Sequence, residues 1–187
     1  MFYNILISLI RPILKLLFKV RVRGEFDLGE ERLIVCSNHI GLLDPIVLAC
    51  ITDRPIHFMG KKELFDIPVL NKIIRGLYAF PVDRDKPSMS TIKEAIKVLK
   101  DENILGIFVE GTRVKEFSLE NAKAGVGMIA YRANSDIQPF KIESTYKLFS
   151  EINVYVRDKI EIDKYDKEKH SYQYIAEDIL LTIYDKK

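Results

Sequence analysis

Short apolar runs alternate along this chain with stretches in which apolar residues recur every three or four positions. Residues 33–37, 56–59, 77–82, 104–109, 137–142 and 152–156 read as strands. The run 104–109 is continuously apolar, the pattern of a strand buried on both faces. Between these runs, Ile92, Ala95, Ile96 and Leu99 sit at helical spacing behind Thr91-x-x-Glu94, a candidate capping box. Residues 122–133 also read as helix, weakened by Gly125 and Gly127. A final helix over 171–184 brings Tyr174, Ile175, Ile179 and Ile183 near one face. The alternation predicts an α/β class, with one mixed sheet carrying helices on both sides. Neither an internal repeat nor a low-complexity linker interrupts it, and 187 residues suit a single domain.

The first 20 residues follow a different rule. They are rich in Ile, Leu and Phe, with Arg11, Lys15 and Lys19 set among them. Three cations make a poor membrane span, and the cations do not precede the apolar stretch as they would in a secretory leader. At about 100° per residue, Asn4, Ser8, Arg11, Lys15 and Lys19 fall on one narrow stripe of an otherwise apolar helix. That describes an interfacial helix, bedded in acyl chains with Arg11, Lys15 and Lys19 at anionic headgroups. A helix docked on the core is the alternative. Pro12 is expected to kink or split it. Residues 1–22 are accordingly read as an amphipathic membrane-surface segment and 23–187 as the globular domain.

Composition narrows the function classes. With 48% hydrophobic and 30% charged residues the chain is globular, and a net charge of +2 excludes a nucleic-acid binder that works by bulk charge. Cys36 and Cys50 fit neither a disulfide framework nor a zinc spacing, and both lie in apolar surroundings. They read as buried, reduced thiols.

The candidate chemistry begins at Asn38-His39 and Asp44. Five positions apart on one helix they would diverge by about 140°. Gly41 permits a turn, however, and Asp44-Pro45 reads as an N-cap followed by proline in the first helical turn. The imidazole can then fold back onto the carboxylate, which would orient it as a general base. A second reading leaves Asp44 as a cap and His39 as a turn residue. Ser37 shares a strand face with His39, so a Ser–His pair stays open beside direct attack by an acceptor hydroxyl. Cations follow several of the strands: Lys61-Lys62, Arg84, and Arg113 with Lys115 after Glu110-Gly111-Thr112. Ligands of such sheets bind at strand ends, and arginine and lysine suit a phosphate there.

In order along the chain, Asn38-His39-x-x-x-x-Asp44, Lys61-Lys62-Glu63-Leu64 through Gly76 to Pro81-Val82-Asp83-Arg84, Phe108-x-Glu110-Gly111-Thr112-Arg113, and Pro139 resemble the bacterial 1-acylglycerol-3-phosphate acyltransferases, from about residue 33 to 142. The resemblance implies acyl transfer from an acyl carrier protein or coenzyme A thioester to the 2-hydroxyl of 1-acylglycerol-3-phosphate, giving phosphatidate. It implies His39 as base and Asp44 as its partner. Arg84 and Arg113 would hold the acceptor phosphate, with Glu110, Gly111 and Thr112 organising the pocket and Lys61 assisting. No metal or organic cofactor is implied, and the expected location is peripheral, on the cytoplasmic face of the cell membrane. Val109 replaces the family's usual proline, Asn71 a frequent glycine, and Gln138 and Phe140 the small aliphatic residues around Pro139. These departures bear on the choice of acceptor. Another lysophospholipid acceptor and a non-catalytic lipid-surface binder are the alternatives.

Overall fold

In a computed structural model of the chain, describing residues 2–83, 88–166 and 168–186, seven strands form one sheet in the order β1-β7-β6-β2-β5-β3-β4. The strands are β1 (Lys19–Arg23), β2 (Leu33–Ser37), β3 (Ile56–Lys61), β4 (Phe80–Val82), β5 (Ile104–Phe108), β6 (Ile137–Ser144) and β7 (Glu151–Val156). Only β6 and β7 pair antiparallel. The mixed sheet expected from the alternation is therefore present. The helices are α1 (Phe2–Leu17), α2 (Asp44–Ile51), α3 (Pro68–Gly76), α4 (Met89–Lys100), α5 (Ala124–Ala133) and α6 (Tyr172–Tyr184).

The sheet divides two apolar cores. Ile34, Cys36, Leu105 and Ile107 face α4, α5 and α6, while Leu33, Val35, Phe58 and Phe140 face α1 and α2. Every residue of β2 is buried, which is why this central strand carries almost no polar side chains. β2, β3, β4 and β5 run in one direction and so present their carboxyl ends along one edge. That edge is where an open α/β sheet places its ligands.

Several local expectations change. α1 ends at Leu17, and the alternation Lys-Val-Arg-Val-Arg, with its β-branched residues, pairs as β1 against β7. Lys19 therefore lies on an edge strand rather than on the helical stripe, and the helical segment stops short of residue 22. Pro12 lies inside α1 without dividing it. The strand expected over 77–82 is confined to β4, because Tyr78 takes a left-handed turn at φ 60°. Ser88, three residues before Thr91, caps α4 by accepting from the Thr91 N–H. The sequence pattern did not indicate α3, which buries none of its residues.

Arg11 also has a different partner from the one expected. Its guanidinium donates to the Thr52 carbonyl at 2.5 Å, at the carboxyl end of α2, and reaches Asp53. A cation suits the negative end of a helix dipole, so Arg11 clamps α1 to α2. Both cysteines are free, and burial pushes the Cys36 thiol far above its usual range. A thiol held protonated in this way is a poor nucleophile.

Candidate active site

β2 ends at Ser37, and Asn38 continues its hydrogen bonding by another means. The Asn38 carboxamide donates to the Ile142 carbonyl at 2.9 Å and accepts from the Ile142 N–H at 2.7 Å. A side-chain amide thus takes the place of a peptide in the ladder with β6. The backbone is released to turn one residue before the histidine, with no Ile142 group left unpaired.

The released turn delivers His39 to Asp44. His39 Nδ1 lies 2.7 Å from Asp44 Oδ2. The same oxygen accepts the backbone N–H groups of Ile40 at 2.7 Å and Gly41 at 2.8 Å. Asp44 is the first residue of α2 rather than its cap, so its carboxylate points back into the preceding loop instead of along the helix. Reading Asp44 as an N-cap is corrected here, while the folding back of His39 onto it is observed. Tyr146 donates its hydroxyl to Asp44 Oδ1. The imidazole stacks on Phe108 at 4.1 Å between ring centroids and is almost fully buried. With Nδ1 engaged, Nε2 is the nitrogen that remains for a substrate. Ser37 Oγ turns to Asn38 Oδ1 at 3.3 Å, not to His39.

Glu110 is brought into this site more intimately than a phosphate pocket requires. Its Oε2 accepts the His39 backbone N–H at 2.7 Å, and its Oε1 accepts the Tyr184 hydroxyl at 2.9 Å. It is buried, which pushes its carboxyl above the usual glutamate range, and the charge on Asp44 adds to that. The hydrogen bonds from His39 N and Tyr184 pull in the opposite direction. The exit loop of β5 is stitched to that of β2, with Val109 N–H donating to the Ser37 carbonyl and Val114 N–H to the His39 carbonyl. A proline at position 109 would lack the first of these donors. Gly111 makes the turn at φ 67° and leaves Thr112 and Arg113 exposed beyond it.

Lys61 ends β3 on the same edge of the sheet, 3.3 Å from Glu63. Arg84 lies outside the described residues. Lys15 is exposed on α1. An apolar cleft of about 240 Å³, lined by Ile10, Ile13, Leu14 and Phe18 with Leu43 and Ile46, opens between α1 and the start of α2. Leu43 and Ile46, which line the cleft, flank Asp44 in the chain. Asn38 and Phe108 belong to the sequence motifs without a role of their own there, and no motif includes Tyr146 or Tyr184. Tyr146 and Tyr184 lie 102 and 74 residues from their carboxylate partners, beyond the reach of any local spacing.

A buried histidine–carboxylate pair at the carboxyl edge of an α/β sheet is a layout for acid–base chemistry. A profile of the acyltransferase family matches residues 19–143, and the chain belongs to that family. It is similar to the 1-acyl-sn-glycerol-3-phosphate acyltransferase of Bacillus subtilis, 37% identical over 116 residues, covering 61% of this chain and 58% of that protein. The enzyme of the same name from Borreliella burgdorferi is 26% identical over 165 residues, covering 80% and 66%. The matched region spans about three fifths of the first of these curated relatives and about two thirds of the second. In fold it matches the crystal structure of the 1-acyl-sn-glycerophosphate acyltransferase PlsC from Thermotoga maritima, with a TM-score of 0.77 at 22% identity, over 98% of this chain and 79% of that one.

Proposed function

We propose that this protein transfers a fatty acyl group from an acyl thioester to the 2-hydroxyl of 1-acylglycerol-3-phosphate, giving phosphatidate. The observation that carries this reading is the 2.7 Å contact between His39 Nδ1 and Asp44. It fixes the tautomer that leaves Nε2 basic and ready for an acceptor hydroxyl. Nε2 takes the hydroxyl proton as the oxygen attacks the thioester carbonyl carbon. The tetrahedral intermediate collapses, the C–S bond breaks, and the imidazolium returns the proton to the departing thiolate. Asp44 stabilises the imidazolium while it exists. Arg113 and Lys61 bind the acceptor phosphate from the strand ends, and Arg84 is assigned to the same phosphate by the sequence motif. Glu110 acts behind them, holding the His39 backbone in place.

Acyl chains reach the pair through the apolar cleft beside Leu43. α1 buries Tyr3, Ile7 and Leu14 but exposes Phe2, Ile5, Leu9, Ile13 and Leu16. Its docked face and its exposed apolar face together account for the broad apolar arc in the sequence. The exposed face rests on the membrane, with Lys15 at the headgroups, and Ile67 and Val69 at the start of α3 add apolar surface. No helix among the described residues is long and apolar enough to cross a membrane. In this reading the exposed face of α1 holds the protein peripherally on the cytoplasmic leaflet.

The test is phosphatidate formation by purified protein from 1-acylglycerol-3-phosphate in vesicles, supplied in parallel with acyl-coenzyme A and with acyl-acyl carrier protein. Turnover with either donor is expected, and His39→Ala should lower it by about 10²–10⁴. Absence of product with both donors, or undiminished turnover by His39→Ala, overturns the reading. A panel of other lysophospholipids tests the acceptor, since Val109 alters the loop leading to Arg113.

A further inference from the structure

Asp44 offers two oxygens, and their surroundings differ. Oδ2 receives His39 and two backbone N–H groups, whereas among the described residues Oδ1 accepts the Tyr146 hydroxyl alone. Resting on the function proposed above, we infer that Tyr146 is a positioning residue of the catalytic pair. By holding Oδ1 it fixes the rotation of the carboxylate and keeps Oδ2 in line with His39 Nδ1 while the imidazole gains and returns its proton.

Four observations outside the hydrogen bond point the same way. Tyr146 has φ 53°, a left-handed conformation that costs a non-glycine residue energy and persists only where its surroundings enforce it. Its ring lies over Gly41 so closely that a Cβ there would come within 2.5 Å of it, so the absence of a side chain at position 41 makes the seat. Phe18 meets the same ring edge to face, with centroids 6.2 Å apart. The loop that carries it is tied at 2.7 Å from Phe149 N–H to the Leu17 carbonyl and at 3.0 Å from Lys19 N–H to the Ser150 carbonyl. Tyr146 is therefore anchored to the end of α1 and to the start of β1, not only to its neighbours in sequence. Burial and the adjacent Asp44 charge push its hydroxyl far above the usual tyrosine range, so it stays protonated and remains a donor.

In this arrangement the loop after β6 is part of the catalytic apparatus. The same loop exposes Leu148 and Phe149 beside the carboxyl end of α1, next to the exposed Leu16. The base is thus braced by an element that adjoins the proposed lipid-facing surface.

Tyr146→Phe removes the donor and leaves the ring. Gly41→Ala leaves the hydroxyl but displaces the ring. Each should lower kcat about tenfold, the rate equivalent of one lost hydrogen bond to a charged group. KM for 1-acylglycerol-3-phosphate should stay within about twofold. The double variant should lose less than the product of the two single losses, because both remove one interaction. Assays use vesicles with whichever thioester donor supports the unmodified protein, and thermal melting verifies folding. Where Tyr146→Phe does not fold, Gly41→Ala alone decides. A normal kcat in a folded variant, or a loss that appears as raised KM, overturns the inference. Absence of turnover by the unmodified protein instead overturns the functional reading on which it rests.

Discussion

Asn38, placed beside the histidine, shows how one side chain can set the geometry of its neighbour. Its amide supplies both a donor and an acceptor to Ile142, so β6 keeps its pairing although β2 has already turned away. Aspartate would offer no donor to the Ile142 carbonyl, and alanine would offer neither partner. Asn38→Ala should therefore destabilise the fold by about 2–4 kcal/mol, since two buried backbone groups lose their partners. Urea denaturation measures this as a lower midpoint. Activity should fall further than unfolding explains, because the His39 turn begins at this residue. The adjacent histidine was legible as a candidate base from the motif alone. The role of Asn38 was not, since its partner lies 104 residues away.

At the scale of the element, α1 faces in two directions. Its Tyr3, Ile7 and Leu14 belong to the core shared with α2, while Leu9, Ile13 and Leu16 are exposed. Ile7→Ala should cost about 2–5 kcal/mol in chemical denaturation, as a truncated core residue does. Replacing Leu9 and Leu16 together by serine should leave that stability within about 1 kcal/mol, since neither side chain is buried. The same pair should weaken co-sedimentation with anionic vesicles several-fold if the exposed face is the lipid-binding one. Equal vesicle binding by the double variant would leave α1 a core helix only. Periodicity identified the apolar arc and its polar stripe. It did not divide that arc into docked and exposed halves, because both are built from the same residue types. β1 was absorbed into the helical stripe for a related reason: Lys15 and Lys19 are correctly spaced for a helix, and the alternating valines that follow specify a strand only when β7 is there to pair.

For the whole molecule, Glu110 joins β5, the His39 turn and the carboxyl end of α6. Burial, the largest influence, raises its pKa above the reference value of 4.5. The folded state therefore binds more protons than the unfolded chain between that value and the raised one. Stability contributed at this position is fullest below about 4.5 and declines as pH rises through the raised value. Glu110→Gln carries no ionisable group there. Thermal melts from pH 4 to 8 should show the unmodified protein losing stability relative to Glu110→Gln as pH rises. A constant or opposite difference would mean that the hydrogen bonds from His39 N and Tyr184 outweigh the burial. The wiring itself depends on α6, whose sequence announces only an amphipathic helix.

The α/β class, most of the strands and the candidate base were determined by local pattern. Each depends on spacings of a few residues, which periodicity and turn chemistry report directly. The flexing of the His39 loop toward Asp44 was also foreshadowed, by Gly41 and by Pro45. What holds that loop was decided by tertiary structure: Ile142, Tyr146, Tyr184 and Glu110 converge from β6, its following loop, α6 and the loop after β5. Tertiary packing also sent Arg11 to the end of α2 and Lys19 to an edge strand. A charge or hydroxyl can be recognised in the sequence, but its partner is chosen by the pairing order of the sheet, which brings together residues that no local spacing relates.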